Sequence, residues 1–250
     1  MGINTKSALV FQTDFGLADG AVSAMYGVAH GVDSELRIFD LTHDIPQYNI
    51  LEGSYRLIQT VTYWAPGTVF VSVVDPGVGT DRKSIVAKTV TGQYIVTPDN
   101  GTLTHVKRMC GIIEAREIDE NINRLPNSGA SYTFHGRDVY AYTGARLAAG
   151  IIDFEGVGPK VNVEEIIELP KVEAAKKADC VTGTIDVLDV RLGSLWTNIG
   201  RELFMGSGIN YGDRVEVSIK NDIREVYRNI MVFVTSFSEV NVGETLVYVN

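Results

Sequence analysis

The sequence predicts an α/β protein in two parts: a mostly parallel sheet covered by helices, then a C-terminal antiparallel β-barrel. Three observations predict it. Short apolar runs alternate with helix-period segments from Ala8 to about Glu168. Gly-rich polar turns close those runs. After Pro170 the texture changes to brief β-rich runs separated by Gly and Asn. The expected domains are therefore 1–169 and 178–250, with the charged stretch 170–177 connecting them.

Each element follows in order. Ala8–Phe11 and Leu36–Leu41 read as strands buried on both faces, as do Thr68–Val74 and Gln93–Thr97. Between the first two, Val22, Met25, Tyr26 and Ala29 keep helical spacing, with Asp19 placed as an N-cap. Ile50, Leu51, Leu57, Ile58 and Val61 continue a second helical face until Pro66-Gly67 stops it, and Asp138–Ala149 reads as a third helix. In the second part the strand candidates are Cys180–Val187, Asp213–Lys220, Glu225–Thr235 and Thr245–Val249, with no helix-period segment among them.

Composition narrows the function. With 45% apolar and 21% charged residues the chain reads as globular, and 250 residues accommodate one or two domains. A net charge of −9 argues against a nucleic-acid backbone or an anionic membrane as partner. Cys110 and Cys180 lack metal or redox spacing and read as small buried apolar residues. The N-terminal segment lacks a signal-like apolar core and no run reaches membrane-spanning length, so a cytoplasmic location is expected.

The polar turns carry the chemistry. Thr-Phe-His-Gly-Arg-Asp (133–138) and Val-Val-Asp-Pro-Gly-Val-Gly-Thr-Asp-Arg (73–82) set a His, two Asp and two Arg in glycine-rich turns, and Thr-Asp-Phe-Gly (13–16), Asp-Leu-Thr-His-Asp (40–44) and Thr-Pro-Asp-Asn-Gly (97–101) repeat the texture. Each run ends at the same edge of a parallel sheet, where such folds bind ligands. Asp14, Asp19, His43, Asp44, Asp75, Asp99, Asn100, His135 and Asp138 would suit a two-metal phosphoesterase, although no sharply spaced metal motif is present. Gly-Val-Gly-Thr-Asp-Arg lacks the Lys-Ser/Thr ending of a P-loop, and no Gly-Xxx-Ser-Xxx-Gly elbow appears. Structural roles compete: Asp14 and Asp19 stand where helix caps stand, Asp75-Pro76-Gly77 and Pro98–Gly101 are strong turn formers, and His43 could serve a loop carbonyl. A site role and a structural role are equally open for His135 and for Trp196.

Taken together, these segments resemble the S-adenosylmethionine hydrolases (adenosine-forming), the hydroxide adenosyltransferase relatives of the fluorinases and chlorinases. The resemblance runs from Thr-Asp-Phe-Gly and Asp19 through Thr-His-Asp-Ile-Pro and Glu-Gly-Ser-Tyr (52–55). It continues through Val-Asp-Pro-Gly-Val-Gly, Pro-Asp-Asn-Gly, Phe-His-Gly-Arg-Asp, Gly-Ser-Leu-Trp-Thr-Asn-Ile and Thr-Ser-Phe (235–237). It implies an α/β domain joined to a β-barrel, and a trimer whose sites lie between one subunit's first domain and its neighbour's barrel. Asp14 matches the carboxylate that grips the ribose diol; Asp19 and Asp189 match contacts to the methionine end. Tyr48 falls at a wall position, Phe134 is a further substrate-binding residue, Trp196 and Phe237 would line the nucleoside pocket, and Ser194 stands where relatives often place an Asn near adenine. Asp75, Arg82 and His135 match the hydrolytic triad, with His135 able to accept a proton. The family pattern continues past 245–250 with a Ser-containing loop and a final strand.

The resemblance separates hydrolase from halogenase. Halogenases carry a Tyr in place of Asp75, an aromatic residue in place of His135 and a Ser in place of Gly136, and an extra loop for which Ser84–Val96 is too short. Water is thus the expected nucleophile, S-adenosyl-L-methionine the substrate, adenosine and L-methionine the products, with no cofactor and no metal. The alternatives are a non-catalytic S-adenosylmethionine or adenosine binder, a 5′-halogenase and the metal-dependent phosphoesterase.

Overall fold

The structure is a computed structural model that describes residues 6–170 and 172–249. The first five residues of the N-terminal segment read for a leader, and Lys171 of the connecting stretch, lie outside the described residues. The chain divides into two units, 1–170 and 171–250.

The first unit runs β1 (Leu9–Thr13), α1 (Ala21–Val32), β2 (Ile38–Thr42), α2 (Ile50–Val61), β3 (Val69–Val73), β4 (Ser84–Thr89) and β5 (Tyr94–Pro98). It continues with α3 (Thr104–Met109), β6 (Ile112–Glu117), a π-helical segment Gly136–Ala141 that leads into α4 (Tyr142–Ala148), and β7 (Lys160–Val161). The seven strands lie in the order β2-β1-β3-β5-β4-β6-β7. β2, β1, β3 and β5 are parallel, whereas β4 pairs antiparallel with both β5 and β6, and β6 with β7.

Alternation along the central strands builds the layers. In β1, Leu9 and Phe11 face a core shared with Met25 and Ala29 of α1 and Ala145 and Ala148 of α4. Val10 faces the opposite core, with Leu57 and Val61 of α2 and Leu103 and Val106 of α3. Gly144 lets α4 descend onto the sheet, since a Cβ there would fall 2.4 Å from Val71 Cγ2. Asn49 caps α2, its Oδ1 accepting the Glu52 N–H at 3.1 Å.

Three expectations for this unit change. Leu36–Leu41 was expected to be buried on both faces; β2 is instead the edge strand, with Phe39 and Asp40 exposed, because no strand follows it on that side. The helix expected at Asp138–Ala149 begins two residues earlier, in π winding that places His135 at its N-cap. Asp19 accepts the Ala21 N–H at 2.8 Å, while Gly20 occupies the cap position of α1.

The second unit holds β8 (Ala175–Lys177), β9 (Cys180–Thr182), β10 (Ile185–Asp189), β11 (Ser194–Thr197), α5 (Arg201–Met205), β12 (Arg214–Lys220), β13 (Glu225–Phe233) and β14 (Leu246–Val247). β8 lies inside the stretch read as a connection. Among the described residues the strands form β8-β9 and β10-β11 hairpins and a β12-β13-β14 sheet whose last pair is parallel; these pairings do not close into the expected barrel by themselves. α5 was not expected, since five residues are too few to display a helical period.

Candidate active site

Two neighbouring strand ends gather the polar groups. β1 and β3 pair in parallel with Thr13 opposite Val73, so the turns that follow, carrying Asp14 and Asp75, leave the same edge side by side. This is also where the sheet order reverses: β2 lies on one side of β1 and β3 on the other, the place at which open α/β sheets bind their ligands. The N-terminus of the π segment closes onto it. Gly136 packs so tightly that a Cβ would fall 3.1 Å from Phe15 Cζ and 3.5 Å from Val73 Cγ1, so the backbone next to His135 rests directly on both turns. π segments inside helices are frequent at functional sites.

Asp75, Arg82 and His135 form one hydrogen-bonded cluster. Arg82 Nε donates to Asp75 Oδ1 at 2.9 Å, and Nη2 donates to Asp75 Oδ2. Nη2 also lies 3.1 Å from His135 Nδ1. Side-chain exposure is only 9% for Arg82 and 5% for Asp75, so this ion pair is shielded from water and its geometry is fixed. Burial works against the Arg82 charge, but the bonds to Asp75 and the nearby acidic groups raise its pKa above the usual guanidinium value. Burial lowers the pKa of His135, reinforced by the Arg82 and Arg124 charges and opposed by Glu120 and Asp75. The balance favours the neutral imidazole.

Two further groups steady Arg82 and carry no motif signal in the sequence. Nη1 donates to Ser84 Oγ at 3.0 Å, and Ser84 Oγ lies 3.1 Å from Tyr140 OH. The Tyr140 ring packs under the guanidinium, 5.5 Å from its carbon. Tyr140 follows His135 by five residues, and only i→i+5 winding brings the two along one side of the helix. Asn100 acts on the loop itself, its Nδ2 donating to the Val74 carbonyl at 2.9 Å, immediately before Asp75.

Asp14 is 8% exposed and accepts the Tyr48 N–H on Oδ2 at 2.8 Å. Burial raises its pKa; the Tyr48 N–H and its own backbone N–H oppose that, and the Asp75 charge adds to it. Tyr48 has φ of 65°, a left-handed conformation that costs about 1–2 kcal/mol for such a residue. That turn aims its N–H at Asp14 and leaves its ring exposed. Phe134 is also exposed, with the Arg137 guanidinium 4.9 Å above its ring. Behind Asp14, His43 bridges Thr13 Oγ1 at 2.8 Å and Asp40 Oδ1 at 3.0 Å, so its role is to tie β1 to β2 through side chains rather than a carbonyl.

In the second unit Asp189 and Ser194 face each other across the β10-β11 hairpin, with half-buried Trp196 two residues on. Phe237 lies in a separate turn closed by a Ser236–Glu239 capping box, its ring 4.9 Å from Tyr248. Of the residues weighed for a two-metal site, Asp99 accepts the Ile167 N–H, Asp138 pairs with Arg137 and Asp75 with Arg82. Among the described residues no three His, Cys, Asp or Glu side chains gather as a metal ion would require, and no helix is long and apolar enough to cross a membrane.

An α/β sheet with a buried Asp–Arg–His cluster at its switch point places those side chains where open α/β folds bind ligands. Residues 9–158 match the N-terminal domain of the SAM hydroxide adenosyltransferases and residues 183–250 match their C-terminal domain. The chain belongs to the SAM hydroxide adenosyltransferase family. It is 34% identical over 238 residues to an (R)-S-adenosyl-L-methionine hydrolase of Methanocaldococcus jannaschii, covering 92% of this chain and 80% of that one. A second protein of that name, from Salinispora tropica, is 35% identical over 247 residues, covering 96% and 85%. The fold of this chain is similar to the crystal structure of an uncharacterized conserved protein from Thermotoga maritima, with a TM-score of 0.84, 33% identity, and 96% and 88% of the two chains covered.

Proposed function

We propose that this protein hydrolyses S-adenosyl-L-methionine to adenosine and L-methionine, with water attacking the ribose C5′. The observation that carries the proposal is the shielded Asp75–Arg82–His135 cluster beside Asp14. Attack forms the C5′–O bond and breaks the C5′–S bond; the electron pair returns to sulfur, and the sulfonium leaves as a neutral thioether. Such a leaving group needs neither general acid nor metal. Catalysis then rests on placing one water opposite the sulfur and assisting its deprotonation.

Asp14 grips the ribose diol, its two oxygens accepting from adjacent hydroxyls. Asp19 and Asp189 meet the methionine ammonium, Tyr48 and Phe134 wall the substrate, and Trp196 and Phe237 line the nucleoside pocket with Ser194 beside adenine. Asp75, Arg82 and His135 act on the water. The second unit closes as a barrel in a cytoplasmic homotrimer, where one subunit's barrel completes its neighbour's site; light scattering at the trimer mass tests this assembly. Two features favour water over halide. Ser84–Pro98 is a hairpin, β4 pairing directly with β5, with no inserted loop, and a side chain at Gly136 would crowd the Phe15 ring, its Cβ 3.1 Å from Phe15 Cζ.

The test is incubation with the substrate and chromatography of the products, with and without a chelator. Equal adenosine and methionine in both supports the proposal. Binding without turnover, a 5′-halo-5′-deoxyadenosine formed with chloride, or chelator-sensitive phosphoester cleavage would each replace it.

A further inference from the structure

We propose that His135 serves this reaction as a fixed hydrogen-bond acceptor for Arg82, a positioning residue, and that Asp75 takes the proton of the attacking water. The inference rests on the hydrolysis proposed above and settles which member of the cluster is the base.

The argument is one of donors and lone pairs. A guanidinium has five N–H donors and no acceptor. His135 Nδ1, 3.1 Å from Arg82 Nη2, therefore presents its lone pair to that N–H. A neutral imidazole whose Nδ1 is an acceptor carries its proton on Nε2. His135 Nε2 is buried with no protein partner, so no neighbour competes for that assignment. In this tautomer one nitrogen is engaged and the other protonated, which leaves no lone pair for a substrate proton. Protonating Nδ1 would set an N–H against an N–H, next to a guanidinium that cannot lose its own proton. The lowered pKa of His135 has the same origin in burial and in the Arg82 and Arg124 charges.

Asp75 has the capacity that His135 lacks. An ionised carboxylate offers about four lone-pair directions, and Arg82 occupies one on each oxygen. No other donor among the described residues takes the remaining pair, which leaves it for a water bound within the shielded site. As the C5′–O bond forms and C5′–S breaks, the proton of the incoming water passes to Asp75 and from there to solvent. Arg82 contributes through geometry: two N–H bonds go to Asp75, one to His135 and one to Ser84. One Nη1–H is left, and its direction is set by the other four. That N–H is the donor available to the developing hydroxide.

Asparagine separates the two roles, since its Oδ1 sits about where an imidazole Nδ1 sits and accepts a hydrogen bond without being a base. His135→Asn is expected to lower kcat by less than about 10-fold, while His135→Ala lowers it by about 10²-fold or more. The acid limb of the kcat–pH profile should survive in both variants and disappear in Asp75→Asn. The groups facing the ring that could imitate such a limb are Arg82, Asp75, Tyr132, Tyr140, Glu120 and Arg124, and only Asp75 has an open acceptor against Arg82. Nitrogen-15 NMR of the wild-type imidazole, which requires neither turnover nor a folded variant, should give an unprotonated Nδ1 and a protonated Nε2 at neutral pH. The inference is overturned if His135→Asn is as impaired as His135→Ala and both lose the acid limb, or if the spectrum shows Nδ1–H. A wild-type protein that forms no adenosine but shows the expected tautomer would instead sink the proposed hydrolysis and leave the hydrogen-bond assignment standing.

Discussion

Arg82→Lys keeps the positive charge and removes the fork, which makes it the sharpest test of a geometric role for the cluster. Arg82 reaches three side chains lying on different sides: both oxygens of Asp75, His135 Nδ1 and Ser84 Oγ. An ammonium concentrates its donors at one point and cannot span Asp75 and Ser84 together. At least two of the four contacts are lost, each worth about 1.5–3 kcal/mol when a charged group is involved. With about 1.4 kcal/mol per tenfold in rate, the expected fall in kcat is about 10²–10⁴. KM should move little, because none of these groups is assigned to ribose, adenine or methionine. The assay is adenosine formation at saturating substrate, with a thermal melt to confirm folding. A lysine variant turning over within about threefold of wild type would show that charge suffices, and the positioning argument would fail.

Two further outcomes are expected. Asp14 has a pKa raised mainly by burial, so its ionised form opposes folding; its stability contribution is present below the unfolded value and lost as pH rises through the folded one. Asp14→Asn should therefore melt above wild type at pH 8, with the difference shrinking toward pH 4, while binding of both substrate and adenosine weakens; a melt unchanged across that range would contradict the burial argument. Gly136→Ser places a Cβ within 3.1 Å of the Phe15 ring, an overpacking cost of about 1–3 kcal/mol by denaturant titration, and should not confer chloride-dependent product formation. A stable Gly136→Ser variant that makes a 5′-chloro nucleoside would show that the single side chain, rather than the loop after β4, selects the nucleophile.

The parallel core was legible because burial on both faces requires unbroken apolar runs: Leu9–Thr13 and Val69–Val73 are buried throughout, and the polar residues that follow each run fall at the same edge. The runs that misled were those whose surroundings the sequence does not encode. Leu36–Leu41 offers four apolar residues, Leu36, Ile38, Phe39 and Leu41, yet it lies at the edge, since neighbours across a sheet are set by chain crossovers. β4 and β6 gave no periodic signal, and in the second unit short alternating runs predicted strands without specifying their partners. A two-residue β14 pairing parallel to β13 is a choice made by tertiary contacts alone.

For the site, the sequence by itself determined which residue types stand at the strand ends: Asp14, Asp75, Arg82 and His135 occur in turn-forming, glycine-rich contexts and in a recognisable order. Only the tertiary structure decided how they meet. Arg82 and His135 are 53 residues apart and come within hydrogen-bond distance because α4 packs its π-wound start against β1 and β3. That same winding sets Tyr140 beneath the guanidinium, and the start of β4 sets Ser84 beside it, neither of which any motif marks. The direction of a hydrogen bond, and with it the proton each group can hold, depends on which donor faces which lone pair. Residue order carries no such information; packing at ångström separations supplies it.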